Sequence, residues 1–153
     1  MQSVKQTLID LFEQNIWSND RILIAAQTTK NLPDKARQAM AHLAIAERIW
    51  LSRIRAESLP MKVWEDLSFS EIETLLEETG KQWQTFLDDA DEEQLLSDIA
   101  YMNTQGDAFV NTVRDITLHV THHSAYHRGQ INAIIREAGG EPAKVDYIFY
   151  MRD

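Results

Sequence analysis

Four of the chain's five histidines fall within HVTHHSAYHRGQ, His119 to Gln130. The sequence holds no cysteine, so histidine and the carboxylates are its strong metal ligands. His123 and His127 are one helical turn apart, the interval that turns two imidazoles toward one ion. They continue an apolar row, Val113, Ile116 and Val120 before them and Ile131, Ile134 and Ala138 after, which predicts a core-facing position for both. His122 points away from that row and reads as solvent-exposed. His119 lies one turn before His123 and borders the same face. Three ligands from one helix are hard to arrange: eight residues span roughly 12 Å along the axis, while each nitrogen must come within about 2.1 Å of zinc. A third ligand from another helix fits better, and His42 is the remaining histidine. Spacing therefore proposes His42, His123 and His127 as ligands, with His119 beside them and Asp115 placed to orient the His119 imidazole.

Other readings of the stretch stand beside this one. A buried histidine is more often hydrogen-bonded than metal-bound, so the cluster also fits histidines held by a loop with no metal. Ser124 occupies the position where HExxH requires its glutamate, which removes the zincin motif, and no nucleophile elbow surrounds it. Arg128 is placed either to bind an anionic substrate or to form a surface ion pair. Gly129 inside a helix costs roughly 1 kcal/mol relative to alanine, so either another backbone approaches it or the cost is tolerated.

Four helical patterns must position these residues. The first runs from about Ser3 to Thr29 with Leu8, Leu11, Phe12, Ile22, Leu23 and Ala26 on one face. Asn15 and Asn19 interrupt that face one turn apart, which marks either a structural network or a lined cavity, and two together favour the cavity. Trp17 lies on the opposite face and needs a partner surface or a packed tail. A second helix follows NLPD and runs to about Glu57 through Ala39, Leu43, Ala46, Trp50 and Ile54, with His42 at the edge of its stripe. SLPMKVWEDL, Ser58 to Leu67, reads as a crossover loop. Ser68 with Glu71 makes a capping box for a third helix carrying Ile72, Leu75, Leu76, Thr79, Trp83, Phe86 and Leu87. The period is then lost to about Phe109, and YMNTQGDAF suggests a short β-hairpin. The fourth helix is expected from near Asn111 to Gly139-Gly140. The aromatic tail KVDYIFYMRD should pack back on the bundle.

Composition narrows the function. The 153 residues fit one domain, 1–153, mostly helical, with only three prolines and five glycines to interrupt it. A formal charge of −9 disfavours nucleic acid. No stretch has the length of a membrane span or a signal peptide, so a cytoplasmic protein with no membrane partner is expected.

HVTHHSAYHRGQI resembles the signature helix of the DinB/YfiT-like family, with its His-x-x-x-His-Arg-Gly-Gln stretch. AHLAIAERIWLSRI, FEQNIWSNDRIL and DYIFYMRD resemble the family's second helix, first helix and closing segment, in the expected order. The resemblance implies an all-α four-helix bundle, up-down-down-up, with a long crossover between the second and third helices. It implies a divalent metal on His42, His123 and His127, and a homodimer. Characterised relatives include metal-dependent transferases and isomerases that use low-molecular-weight thiols.

The expected function is a metal-dependent enzyme acting on a small molecule, a thiol-dependent S-transferase or a hydrolase. It would use a divalent transition metal, zinc or nickel first, with an open coordination position and, in the transferase case, a small thiol. Asn15, Asn19 and Arg128 are the expected substrate contacts. The alternative is a dimeric metal-binding protein with a structural or sensing role and no turnover.

Overall fold

Ser3 opens α1 (Val4–Thr28) by accepting a hydrogen bond from the Gln6 N–H at 3.1 Å; a computed structural model describes residues 1–153. Pro33 precedes α2 (Asp34–Ile54). That helix closes with the Glu57 N–H on the Ser52 carbonyl at 2.9 Å, which carries Ala56 into the left-handed region at φ 53°. The capping box of α3 (Phe69–Asp89) has both arms: Ser68 Oγ accepts from the Glu71 N–H, and Glu71 Oε2 accepts from the Ser68 N–H.

A single turn, α4 (Glu92–Leu95), follows where the helical period alone predicted nothing. The hairpin is present and longer than expected. β1 (Asp98–Met102) pairs antiparallel with β2 (Ala108–Thr112), Asp98 opposite Thr112. Its turn is held by Asn103 Oδ1, which accepts from the N–H groups of Gln105 and Asp107. The expected fourth helix is α5 (Val113–Glu137); Thr112 ends the strand and caps the helix, accepting from the Asp115 N–H, so Asn111 stays in β2. Gly139, at φ 82°, ends α5 as a left-handed stop. In the tail, α6 (Tyr147–Tyr150) brings Tyr150 against Trp17 at 5.5 Å between ring centroids, which supplies the packed tail that Trp17 required.

Residue pairs fix the direction of each helix. Phe12 stacks on Trp83 while Lys5 reaches Asp88, so α1 and α3 run antiparallel. Arg37 meets Asp66 ahead of α3 and Arg48 meets Gln82 within it, so α2 and α3 run parallel. His42 faces His127 while Trp50 faces His119, so α2 and α5 run antiparallel. The order up-down-down-up, with residues 55–68 crossing between α2 and α3, is the expected bundle. No helix is long and apolar enough to cross a membrane.

Apolar residues form two clusters along the bundle. One holds Ile22, Met40, Leu43, Ile72 and Ile131; the other holds Leu8, Phe12, Leu51, Trp83 and Ile116. On each long helix the chain passes through a buried polar position between them: Asn15 and Asn19, Glu47, Thr79, Ser124 and Arg128. Glu47 Oε1 accepts from Asn15 Nδ2, Asn19 Nδ2 and Ser124 Oγ at 2.7, 2.8 and 2.7 Å. The Arg128 guanidinium donates to Asn15 Oδ1 and Asn19 Oδ1 at 2.6 and 2.7 Å. The two charged side chains are thus joined through two amides in a buried layer, in which Arg128 Nε and Thr79 Oγ1 are left without a hydrogen-bond partner.

Candidate metal centre

The α2/α5 interface carries the histidines, His42 within α2 and His123 and His127 midway along α5. His42, His123 and His127 each offer a ring nitrogen, and these atoms all lie within 4.8 Å of one another, a group that could hold a metal ion. His123 Nε2 and His127 Nε2 are 3.2 Å apart, close to the roughly 3.4 Å expected between two nitrogens on one tetrahedral zinc. His42 comes from the opposite helix, its ring 5.2 Å from that of His123 and 4.7 Å from that of His127.

Hydrogen bonds select the tautomers. His42 Nδ1 lies 3.1 Å from the Val63 carbonyl, which can only accept, so Nδ1 carries the proton and Nε2 keeps its lone pair. His127 Nδ1 lies 2.8 Å from Gln130 Oε1, an acceptor, and Gln130 Nε2 donates to Tyr126 Oη. His127 Nε2 therefore also keeps its lone pair. Both bonds are of the kind that fixes metal-binding imidazoles. Burial, followed by the neighbouring histidines, pushes His123 from 6.5 down to about 4, and burial also lowers His42. Imidazole nitrogens converging in this way could hold a divalent metal ion.

The crossover covers one side of the cluster. Trp64 stacks on His42 at 3.9 Å and 9° between planes, and is itself 60% exposed. On the other side His119 lies 5.5 Å from His123, ring to ring, and 5.1 Å from Trp50. Together with Tyr101, Asn111 and Asp115 they line a cleft of about 240 Å³.

Several residues stand elsewhere than their spacing suggested. The buried row of α5 runs Val120, Ser124, Arg128, Ile131; His123 and His127 sit one position off it, half-buried at the interface edge. Asn15 and Asn19 are 0% and 2% exposed and are engaged by Glu47 and Arg128, so the cavity predicted around them is filled by a guanidinium. Arg128, at 3% exposure, is not a surface ion pair; its guanidinium is engaged by Asn15 and Asn19. Asp115 pairs with Arg114 at 3.0 Å and forms no hydrogen bond with His119. Gly129 has open space where a Cβ would stand, so its cost is tolerated. His122 is exposed, as expected. Pattern reading missed Gln130, Val63 and Trp64 as supports of the histidines. Gln130 alone left a signal, three residues after His127 on the same helix.

The sequence is similar to known proteins along its length. Protein DinB of Bacillus subtilis (strain 168) is 25% identical over 159 residues, covering 92% of this chain and 91% of that protein. The profile of the DinB family matches residues 2–153, and with that match spanning the bundle and all three histidines the chain belongs to the DinB family.

Proposed function

We propose that this protein is a metal-dependent enzyme acting on a small molecule, a thiol-dependent S-transferase or a hydrolase, with His42, His123 and His127 as its metal ligands. The observation that carries the reading is the convergence of three imidazoles, two of which, His42 and His127, are held from behind by Val63 and Gln130. Three protein ligands are the number catalytic zinc sites use, against four in structural ones. When bound, the ion supplies Lewis-acid chemistry that makes a water or a thiol nucleophilic at neutral pH. The chain has no thiol of its own, so in the transferase case a small thiol enters from solution. His42 and His127 hold their lone pairs inward; Trp64 shields one side of the cluster from water; His119 is available beside it to exchange a proton.

Cobalt(II) substitution tests the proposal. Visible bands of the bound ion should shift on adding 2-mercaptoethanol or azide if a coordination position is open. Bands indifferent to both would favour a closed site, and with it the second reading, a structural or sensing metal. The nearness of His119 to His123 supports that second reading, since a fourth imidazole would complete the shell. The homodimer belongs to the same proposal, and sedimentation velocity tests it.

A further inference from the structure

Near His119 the structure holds a cation with no anionic partner. Arg53, on α2, forms no ion pair, in a chain with 24 acidic and 15 basic residues. Its guanidinium is half-buried beside two aromatic rings set at 76° to each other, 4.4 Å from the Trp50 centroid and 5.3 Å from that of Tyr101. These contacts restrain the guanidinium while no protein acceptor takes its N–H groups, which leaves them free to receive a carboxylate.

Arg53 also stands where two openings meet. Trp50 and Tyr101 line the 240 Å³ cleft that contains His119. Arg53 itself lines a groove of about 610 Å³ between α2, the crossover and the hairpin turn. That groove ends at Trp64, the ring stacked on the metal-site His42. Lys62 and Glu57 also line it, the first adding positive charge and the second opposing it, while Asn103 and Thr104 supply neutral polar groups. A divalent ion on three neutral histidines and an unpaired arginine would make this corner a positive island on a protein of charge −9.

We propose that Arg53 is the anion-recognition residue of the metal site, binding the carboxylate of a small molecule whose other end reaches the metal ion. The inference rests on the function proposed above and adds the class of ligand: carboxylate-bearing small molecules rather than neutral ones. Arg53 takes the recognition role that spacing had given to Arg128.

The test uses cobalt(II)-loaded full-length protein and two matched series, ω-mercaptoalkanoates and ω-mercaptoalcohols of increasing chain length. Thiolate binding is read from the cobalt charge-transfer band. At the best chain length the acid should bind about tenfold more tightly than the alcohol, the worth of one charge-assisted hydrogen bond. Arg53→Gln should abolish the difference while leaving alcohol binding unchanged, Arg53→Lys should restore part of it, and Arg136→Gln, an equal charge change at the far end of α5, should leave it intact. Equal binding of both series to the wild type, or a preference that survives Arg53→Gln, would overturn the inference and leave the metal site standing. Absence of any thiol band would overturn the proposed open site and this inference with it.

Discussion

Replacing Arg128 with methionine removes the cation from the polar layer while keeping a side chain of similar length. Asn15 Oδ1 and Asn19 Oδ1 then lose donors they hold at 2.6 and 2.7 Å, and Glu47 is left without a counter-charge in a site closed to water. Each orphaned carbonyl costs about 1–3 kcal/mol, and removing one partner of a buried pair costs about 3–5 kcal/mol. The two losses describe the same network and overlap rather than add. A destabilisation of about 3–5 kcal/mol is therefore expected, which in a domain of this size lowers Tm by roughly 6–20 °C. Burial also holds the Arg128 guanidinium down to about 10, with Glu47 opposing the shift, so the charge is poorly solvated where it sits. The double variant Glu47→Leu/Arg128→Met should accordingly be more stable than the sum of the single changes by at least about 1 kcal/mol. Urea unfolding of the four proteins, metal-free, measures this cycle. A loss below about 0.5 kcal/mol for Arg128→Met, the size typical of a surface change, would refute the network and return Arg128 to the role of a ligand-facing cation.

Gln130→Ala removes the acceptor that sets the His127 tautomer from an exposed position, so zinc affinity should fall about 10–100-fold with little change in Tm, measured by competition with a chromophoric chelator. In metal-free protein, His42 and His123 are lowered mainly by burial, His123 from 6.5 to about 4. Between those values the unfolded chain binds protons that the folded chain does not, so stability is full above about 6.5 and is lost as the pH falls toward 4. His123→Ala should flatten that part of the urea-midpoint profile, and an unchanged slope would count against the shift. The glycines separate cleanly: Gly129→Ala, in open helix surface, should stabilise by about 1 kcal/mol. Gly140→Ala would put a methyl against Thr29, 2.7 Å from its Cγ2, and should destabilise by about 1–3 kcal/mol in thermal melts.

The long helices were legible because their buried stripes recur at three and four residues and their ends carry recognisable caps, Ser68 with Glu71 and Gly139 with Gly140. The histidine trio was legible because few ligands were available and His42 alone lay off α5. The face of α5 was not. From Val120 to Ile131 two rows satisfy the same intervals, one through His123 and His127, the other through Ser124 and Arg128, and both are polar. Hydropathy cannot rank them; the complementary Asn15, Asn19 and Glu47 decide it, and only the packed bundle brings those together. Arg53 was illegible for the same reason, since Tyr101 reaches it from a hairpin distant in the chain. The one-turn α4 left too few residues to show a period.

The most direct measurement is metal content after zinc or nickel loading and desalting, for the wild type beside His42→Ala, His123→Ala and His127→Ala, with circular dichroism to establish folding. The three-histidine site requires about one equivalent in the wild type and strong loss in each folded variant, because a three-ligand site deprived of one imidazole retains a divalent ion poorly. A wild type that binds no metal after reconstitution, or a His42→Ala protein that keeps its full equivalent, would contradict it.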